Sequence, residues 1–224
     1  MHCDTLESTH IAEEGKQMYQ HIMWDFDGTL FDTYPVMADS FRVTLEKNGI
    51  SEPLEEIMDL MRISMSTAIQ HYQGLHRFDE AFLNDYHAER KSRERDAKPF
   101  EGIADLCGQI QKTGRHNYLY THRGESAVAM LETFGLAEFF TDFITEEHGF
   151  DRKPSPDAIL HLLSKHDIAA EKAIMIGDRD LDIMAGKNAG IDACLFTDKP
   201  SSDSQADYVI REIQELRPIL NIRG

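Results

Sequence analysis

The strongest local signal in this chain is the stretch HIMWDFDGTL, residues 21–30. Its apolar first part predicts a buried strand over His21–Trp24, and two aspartates, Asp25 and Asp27, follow directly. Ligands of open parallel sheets bind beyond the carboxyl ends of the strands. Gly28 permits a tight turn after the aspartates. The stretch therefore predicts a site for metal or nucleophile chemistry, although two acidic residues near a turn are also common turn formers.

Short apolar runs alternate with helical patterns through the second half of the chain. The predicted strands are 117–121, 140–145, 173–176 and 191–196. The predicted helices between them are 102–112, 125–134, 156–166 and 181–189. Such alternation indicates a parallel sheet with helices on both faces. We therefore predict an α/β fold, to which the strand at His21–Trp24 also belongs.

The segment 34–98 has a different pattern, with apolar residues at helical spacing and no run typical of a strand. These apolar residues are Leu54, Ile57, Met58, Met61, Phe78, Phe82 and Tyr86. We predict a small α-helical insert, with Pro35 and Pro99 as candidate hinge positions. The charge-rich run 89–96 is predicted to be a solvated helix face that leads out of it. The predicted organisation is an α/β core at 20–33 and 99–224, the insert at 34–98, and an N-terminal extension of unknown structure at 1–19.

Composition excludes several classes of partner. The formal net charge is −17, and nucleic acids and anionic membrane surfaces are bound by surplus Lys and Arg. No apolar stretch approaches the roughly 18 residues that a membrane span requires. The cysteines, Cys3, Cys107 and Cys194, are far apart, which is typical of a reducing compartment. We expect a cytoplasmic protein with neither nucleic acid nor membrane as partner; its oligomeric state is open.

A second acidic stretch, GDRDLD at residues 177–182, follows another predicted strand. Asp178 and Asp182 would share a helix face if a helix began at Asp178, although an N-cap followed by first-turn acids fits the same residues. Neighbouring carboxylates repel each other unless a cation offsets their charge. Two acidic strand ends in one parallel sheet therefore favour a hard divalent cation with oxygen ligands, most simply Mg²⁺.

Two further segments offer groups for an anion. Prolines stiffen the backbone beside Lys153 in RKPSP, residues 152–156, although a single Lys is usually a surface residue. Thr121 ends a predicted strand, and a hydroxyl beside the free N–H groups of a helix start can bind an anion. His122, which follows, is by itself more typical of a structural histidine than of a catalyst.

Together, these segments resemble the haloacid-dehalogenase superfamily, and in particular its phosphoglycolate-phosphatase-like and β-phosphoglucomutase-like branch. The order matches over about residues 21–196: DFDGT, a Thr after a strand, a Lys in a KP context, and GDxxxD. The resemblance implies a Rossmann-like core, with the helical insert as a cap that closes over the site. It also implies a Mg²⁺-dependent phosphatase that acts on a small phosphorylated metabolite.

The resemblance assigns roles to single residues. Asp25 would be the nucleophile that forms an aspartyl-phosphate, and Asp27 the general acid–base. Thr121 would hold the transferring phosphoryl group, and Lys153 would offset charge between it and the nucleophile.

The resemblance also implies a metal site and substrate contacts. Mg²⁺ would bind Asp25, Asp178 and the backbone carbonyl of Asp27, while Asp182 would bind through water or orient Lys153. Further candidate substrate contacts are Gly28, Thr29, His122 and Arg123. The residue after Thr121 is Asn in many relatives and His122 here, so its phosphate contact does not carry over directly. Arg123 is either an added cation near the substrate or a surface charge.

Two alternatives remain open. A β-phosphoglucomutase-like mutase carries a His one turn into the first cap helix, where this chain has Met37, so it is the weaker alternative. A non-catalytic metal-binding module with the same fold has no need for Asp27. Substrate choice would lie in the cap, and Arg62, Ser64 and Ser66 are the candidate residues.

Overall fold

The computed structural model describes residues 18–200 and 202–222, so Cys3 and most of the predicted N-terminal extension lie outside the described residues. The strands are β1 (His21–Trp24), β2 (His116–Tyr120), β3 (Phe140–Ile144), β4 (Ala173–Gly177), β5 (Asp192–Phe196) and β6 (Tyr208–Ile210). They form one parallel sheet in the order β3-β2-β1-β4-β5-β6. The predicted α/β class with a Rossmann-like parallel sheet is therefore confirmed.

The helices of the second half cover this sheet. They are α5 (Ile103–Lys112), α6 (Ser126–Thr133), α7 (Asp157–Lys165), α8 (Asp180–Asn188) and α9 (Leu216–Ile219). Each helix and strand predicted in this half lies within about one residue of its predicted ends, which is the usual uncertainty of such boundaries. The sequence patterns did not predict β6 and α9, because three or four residues are too short to show a period.

Strand β1 lies at the centre of the sheet, and both of its faces are buried. Ile22 and Trp24 pack into one hydrophobic cluster, and Met23 packs into another on the opposite face. The buried indole N–H of Trp24 donates to Asn117 Oδ1 on β2, at 3.0 Å. Because β1 pairs with both β2 and β4, the residues that follow these three strands meet at one edge of the sheet. That edge carries the residues predicted to be functional.

Four helices lie between β1 and α5 along the chain, and they form the predicted α-helical insert after the first strand. They are α1 (Tyr34–Lys47), α2 (Leu54–Ile63), α3 (Met65–His76) and α4 (Glu80–Arg93). These helices, which we call the cap, enclose a hydrophobic cluster of their own. Its centre is Phe41, whose ring contacts those of Tyr72, Phe82 and Tyr86. Cap boundaries at residues 34 and 98 stay a prediction.

The chain leaves the core and returns to it along a hydrogen-bonded pair of segments. The Asp32 N–H donates to the Lys98 carbonyl at 2.9 Å, and the Phe100 N–H donates to the Leu30 carbonyl at 3.0 Å. Pro35 lies inside the first turn of α1 rather than before it, where a missing N–H leaves no helix bond unmade.

The charge-rich run 89–96 is not a simple solvated face. Arg93, at the end of α4, pairs with Asp39 of α1 at 2.7 Å, and Glu94, which follows it, pairs with Arg123 of the core. Cys107 and Cys194 are buried, unpaired thiols. Across the described ranges, no helix combines the length and the apolar character that crossing a membrane requires.

Candidate active site

Three carboxylates from two distant stretches converge at the carboxyl edge of the sheet. Asp25 follows β1, Asp178 follows β4, and Asp182 lies in the first turn of α8. One oxygen from each of the three carboxylates lies within 4.8 Å of the other two. Helix α8 begins at Asp180, so Asp178 and Asp182 do not share a helix face; the end of β4 brings Asp178 to the cluster instead.

Lys153 lies between two of these carboxylates. Its ammonium is 2.5 Å from Asp25 Oδ1 and 2.7 Å from Asp182 Oδ1, and it donates to the Tyr120 carbonyl at 2.9 Å. The side chains of Lys153 and Asp182 are fully buried, and that of Asp25 is 3% exposed. Burial lowers the pKa of Lys153, but the charges of Asp182 and Asp25 outweigh it and raise that pKa above its ordinary value. The surface position that is usual for a single Lys does not apply here.

The three carboxylates carry more negative charge than the single positive charge of Lys153 neutralises. Burial raises the pKa of Asp25 to about 6, although Lys153 acts in the opposite direction. Burial also raises the pKa of Asp178 well above its ordinary value, and the charges of Asp182 and Asp25 add to that effect. Asp25 Oδ2 is buried without a hydrogen-bond partner. The three carboxylates form an all-oxygen donor set with surplus negative charge, which fits a hard cation such as Mg²⁺.

Asp27 points away from this cluster towards Arg123. Arg123 Nη2 donates to Asp27 Oδ1 at 2.7 Å, and Arg123 Nε donates to Asp27 Oδ2 at 3.3 Å. Burial raises the pKa of Asp27, but the adjacent guanidinium outweighs it and holds that pKa below its usual range. The side chain of Asp27 therefore stays outside the three-carboxylate group, and metal contact through its backbone carbonyl stays a prediction.

Gly28 and Thr29 contact Asp178. Gly28 has a φ of +77°, and a Cβ there would lie 2.4 Å from the Tyr34 ring and 2.5 Å from Asp178 Oδ2, so only glycine fits. The Thr29 hydroxyl donates to Asp178 Oδ1 at 3.4 Å. The Tyr34 hydroxyl donates to Asp178 Oδ2 at 2.7 Å. Sequence reasoning missed Tyr34, since a tyrosine at the start of a helix carries no signal of its own.

Thr121 and His122 lie at the end of β2. Thr121 is 2% exposed, and its hydroxyl accepts from the Arg123 N–H at 3.0 Å. His122 Nε2 accepts from the Lys153 backbone N–H at 2.8 Å. Burial, helped by the charge of Lys153, lowers the pKa of His122 to about 3, so the imidazole is a neutral acceptor that supports the Lys153 segment. Substrate contacts by Thr121, His122 and Arg123 stay predictions.

A cleft of about 690 Å³ runs between the cap and the core beside Asp178. Its volume is within the range of small-molecule sites. The cap contributes Arg62 and Ser64 to its lining, whereas Ser66 is not part of it. Arg179 of the core also lines the cleft; it stands inside the quoted GDRDLD stretch, and sequence reasoning gave it no role.

Comparison with known proteins gives a consistent result. The family model described as haloacid dehalogenase-like hydrolase matches residues 22–196. A curated phosphoglycolate phosphatase from Vibrio parahaemolyticus is 26% identical, and the match covers 90% of this chain and 96% of that protein. The pyrophosphatase PpaX from Halalkalibacterium halodurans is 24% identical, and the match covers 91% of this chain and 97% of that protein.

The fold also has solved counterparts. A hydrolase from Streptococcus pneumoniae TIGR4 is 32% identical and has a TM-score of 0.69. The alignment covers 91% of this chain and 99% of that structure. The overall fold therefore has a known architecture.

Proposed function

The chain belongs to the haloacid dehalogenase-like hydrolase family, as its four segments predicted, and we propose that it is a Mg²⁺-dependent phosphatase. It would hydrolyse a small phosphate monoester through an aspartyl-phosphate on Asp25. Three of the similar proteins are named phosphoglycolate phosphatase, which supports a phosphoric monoester hydrolase. One observation carries the mechanism: Lys153 holds one oxygen of the buried Asp25, while the other oxygen, Oδ2, has no partner.

In the first step, Asp25 Oδ2 attacks the phosphorus of the bound ester. A bond forms between Oδ2 and phosphorus, the bond from phosphorus to the ester oxygen breaks, and that oxygen takes a proton from Asp27. Asp27 must therefore be protonated, and the negative charge of the incoming ester favours that form. Lys153 holds the nucleophile in place and offsets charge, while the Thr121 hydroxyl holds the phosphoryl group.

In the second step, water replaces Asp25 on the phosphoryl group. Asp27, now a carboxylate, takes a proton from the water, and the water oxygen attacks phosphorus. The bond from phosphorus to Asp25 breaks, which restores the carboxylate and releases inorganic phosphate. The ionised form in which Arg123 holds Asp27 is the form that this step requires.

The metal would be held by Asp25 and Asp178, with Asp182 beside them. When bound, Mg²⁺ supplies positive charge that neutralises the transferring phosphoryl group. Thr29 and Tyr34 would orient Asp178 for it, since both donate hydrogen bonds to that carboxylate. Ligands fixed by such neighbours bind a metal more tightly than free side chains.

The test is hydrolysis of p-nitrophenyl phosphate by the full chain, with Mg²⁺ and with EDTA. We expect turnover only with the metal, and a loss of about 10³-fold or more in Asp25→Asn. Acid quenching of enzyme incubated with ³²P-labelled substrate should trap label on the wild type and not on this variant. The matched control is Asp105→Asn, whose carboxylate is 60% exposed in a surface ion pair.

Two outcomes would contradict the proposal. Full turnover in Asp25→Asn would exclude this residue as nucleophile, and full turnover in EDTA would exclude the metal. The products separate a phosphatase from a mutase, because the first releases free phosphate and the second an isomerised sugar phosphate. At the position of the mutase histidine, Met37 is 7% exposed and its sulfur lies 4.0 Å from Arg123 Nη2, so we expect free phosphate.

A further inference from the structure

Arg123 joins two carboxylates that come from different parts of the chain. Its Nε and Nη2 donate to the two oxygens of Asp27, and its Nη1 contacts Glu94. Asp27 belongs to the loop after β1, whereas Glu94 begins the 3₁₀ turn Glu94–Asp96 at the end of the cap. The guanidinium therefore links Asp27, the proposed acid–base, to the segment 94–98 that leads from the cap back to the core, which we call the cap's return segment.

The rest of the guanidinium is enclosed by apolar groups. Arg123 lies 5.3 Å from the centre of the Phe26 ring, and the sulfurs of Met37 and Met130 are each 4.0 Å from its terminal nitrogens. The side chain is only 7% exposed. The rigid fork of this guanidinium and its two carboxylate partners fix its orientation. Asp27 is thus gripped at both oxygens and cannot turn freely.

We infer that Arg123 is a positioning residue that fixes the orientation of the Asp27 carboxylate for proton transfer, and that Glu94 fixes Arg123 in turn. The inference rests on the proposed function, in which Asp27 protonates the leaving oxygen. Proton transfer needs the donor oxygen within hydrogen-bond reach and correctly directed. A carboxylate held at both oxygens keeps its orientation between turnovers. No free energy is then needed to orient it in each catalytic cycle.

A direct role in binding the phosphoryl group is the competing interpretation of Arg123. Three of its nitrogens already face carboxylates, and the side chain is nearly inaccessible, which favours positioning. The two roles differ in a measurable way. A positioning residue for the acid matters most when the leaving group needs a proton, whereas a phosphoryl ligand matters equally for all esters.

The experiment compares kcat/KM for phenyl phosphate with kcat/KM for dinitrophenyl phosphate, whose leaving group departs without a proton. In Arg123→Ala we expect a loss of about 10²-fold or more for the phenyl ester, the order of a general acid's contribution, and about tenfold or less for the dinitrophenyl ester. Arg123→Lys keeps the charge but cannot grip both oxygens, so it should lie between wild type and Arg123→Ala for the phenyl ester.

Two further variants sharpen the result. If Arg123 acts through Asp27, then adding Arg123→Ala to Asp27→Asn should change the phenyl-ester rate less than about threefold, because residues that act as a unit are not additive. Glu94→Gln should lower the phenyl-ester rate more than the dinitrophenyl rate, by less than Arg123→Ala does. Arg217→Ala is the control, since Arg217 is a partly buried arginine of α9 paired with Asp105, and we expect it to match the wild-type rate on each ester.

The outcomes separate the inference from the proposed function. Equal losses on the two esters in both Arg123→Ala and Arg123→Lys would overturn positioning and leave a phosphatase with a phosphoryl-binding arginine. A wild type that hydrolyses neither ester would refute the proposed function instead. Where Arg123→Ala does not fold, as judged by circular dichroism, Arg123→Lys decides by the same ratio of the two rates.

Discussion

Two charge triads each place one cation between two carboxylates, and each takes one of its carboxylates from the loop after β1. In the lysine triad, Lys153 lies between Asp25 and Asp182. In the arginine triad, Arg123 lies between Asp27 and Glu94. The lysine triad comes entirely from the core and is at most 3% exposed at any side chain. The arginine triad takes Glu94 from the end of the cap and is exposed by up to 25%.

The difference separates two chemical tasks. The proposed nucleophile is held by core residues alone, where low dielectric strengthens each charge interaction and fixes the geometry. The proposed proton carrier depends on where the cap's return segment lies. In the proposed mechanism, covalent chemistry therefore takes place at a residue held by the core alone, and proton transfer at a residue that also depends on the end of the cap.

Removal of the central cation should have its largest effect in the lysine triad. Lys153→Met leaves Asp25 and Asp182 buried without their partner, and we expect the free energy of unfolding to fall by about 3–5 kcal/mol. Urea unfolding measured without metal tests this. Lys187→Met is the control, because the Lys187–Asp207 pair is about one third exposed and should contribute about 1 kcal/mol or less. Equal losses in both variants would remove the distinction between a buried and an exposed pair.

A smaller loss is expected when the arginine triad is weakened. Glu94→Gln keeps an oxygen acceptor for Arg123 and removes one charge, while Asp27 still offsets the guanidinium. We expect the free energy of unfolding to fall by about 1–2 kcal/mol, measured in the same urea experiment. A loss as large as that in Lys153→Met would show that the cap-dependent triad is as important for stability as the core triad.

The smallest effect is expected at Tyr34, a cap residue that contacts the carboxylate cluster. Tyr34→Phe removes the hydroxyl that donates to Asp178, and we expect a loss of about 0.5–1.5 kcal/mol in unfolding free energy and weaker Mg²⁺ binding by calorimetry. Tyr72→Phe is the matched control, since the buried Tyr72 hydroxyl has no hydrogen-bond partner and its removal should cost nothing. Unchanged Mg²⁺ binding in Tyr34→Phe would show that the proposed metal site does not depend on this contact with the cap.

Much of the core could be predicted from the sequence. Buried strands such as His21–Trp24 show a run of apolar residues followed by acidic or hydroxyl groups, and parallel pairing then brings Asp25, Thr121 and Asp178 to one edge. Those signals are local, or follow from a general rule of sheet topology. The start of α8 was less certain, because acids in a first turn fit several helix boundaries.

Contacts between the cap and the core could not be predicted in the same way. Glu94 stands in a run whose charges suit a solvated helix equally well, and its pairing with Arg123 depends on how the cap packs. Tyr34 has no sequence neighbour that indicates its bond to Asp178. The burial of Lys153 likewise follows from tertiary packing, whereas the isolated residue type indicates a surface position.

The paired segments at Asp32 and Lys98 have a consequence for how this architecture varies. Because the backbones of Asp32 and Lys98 are joined by a hydrogen bond, the residues between them leave the core and return to it at the same place. The buried residues of the cap's cluster belong to neither sheet-face cluster, although the partly buried Val36 of α1 packs against one of them. Domain insertion is tolerated where the two ends of the inserted segment lie close together. We therefore expect that another segment with adjacent ends could replace the cap helices without a change in strand register.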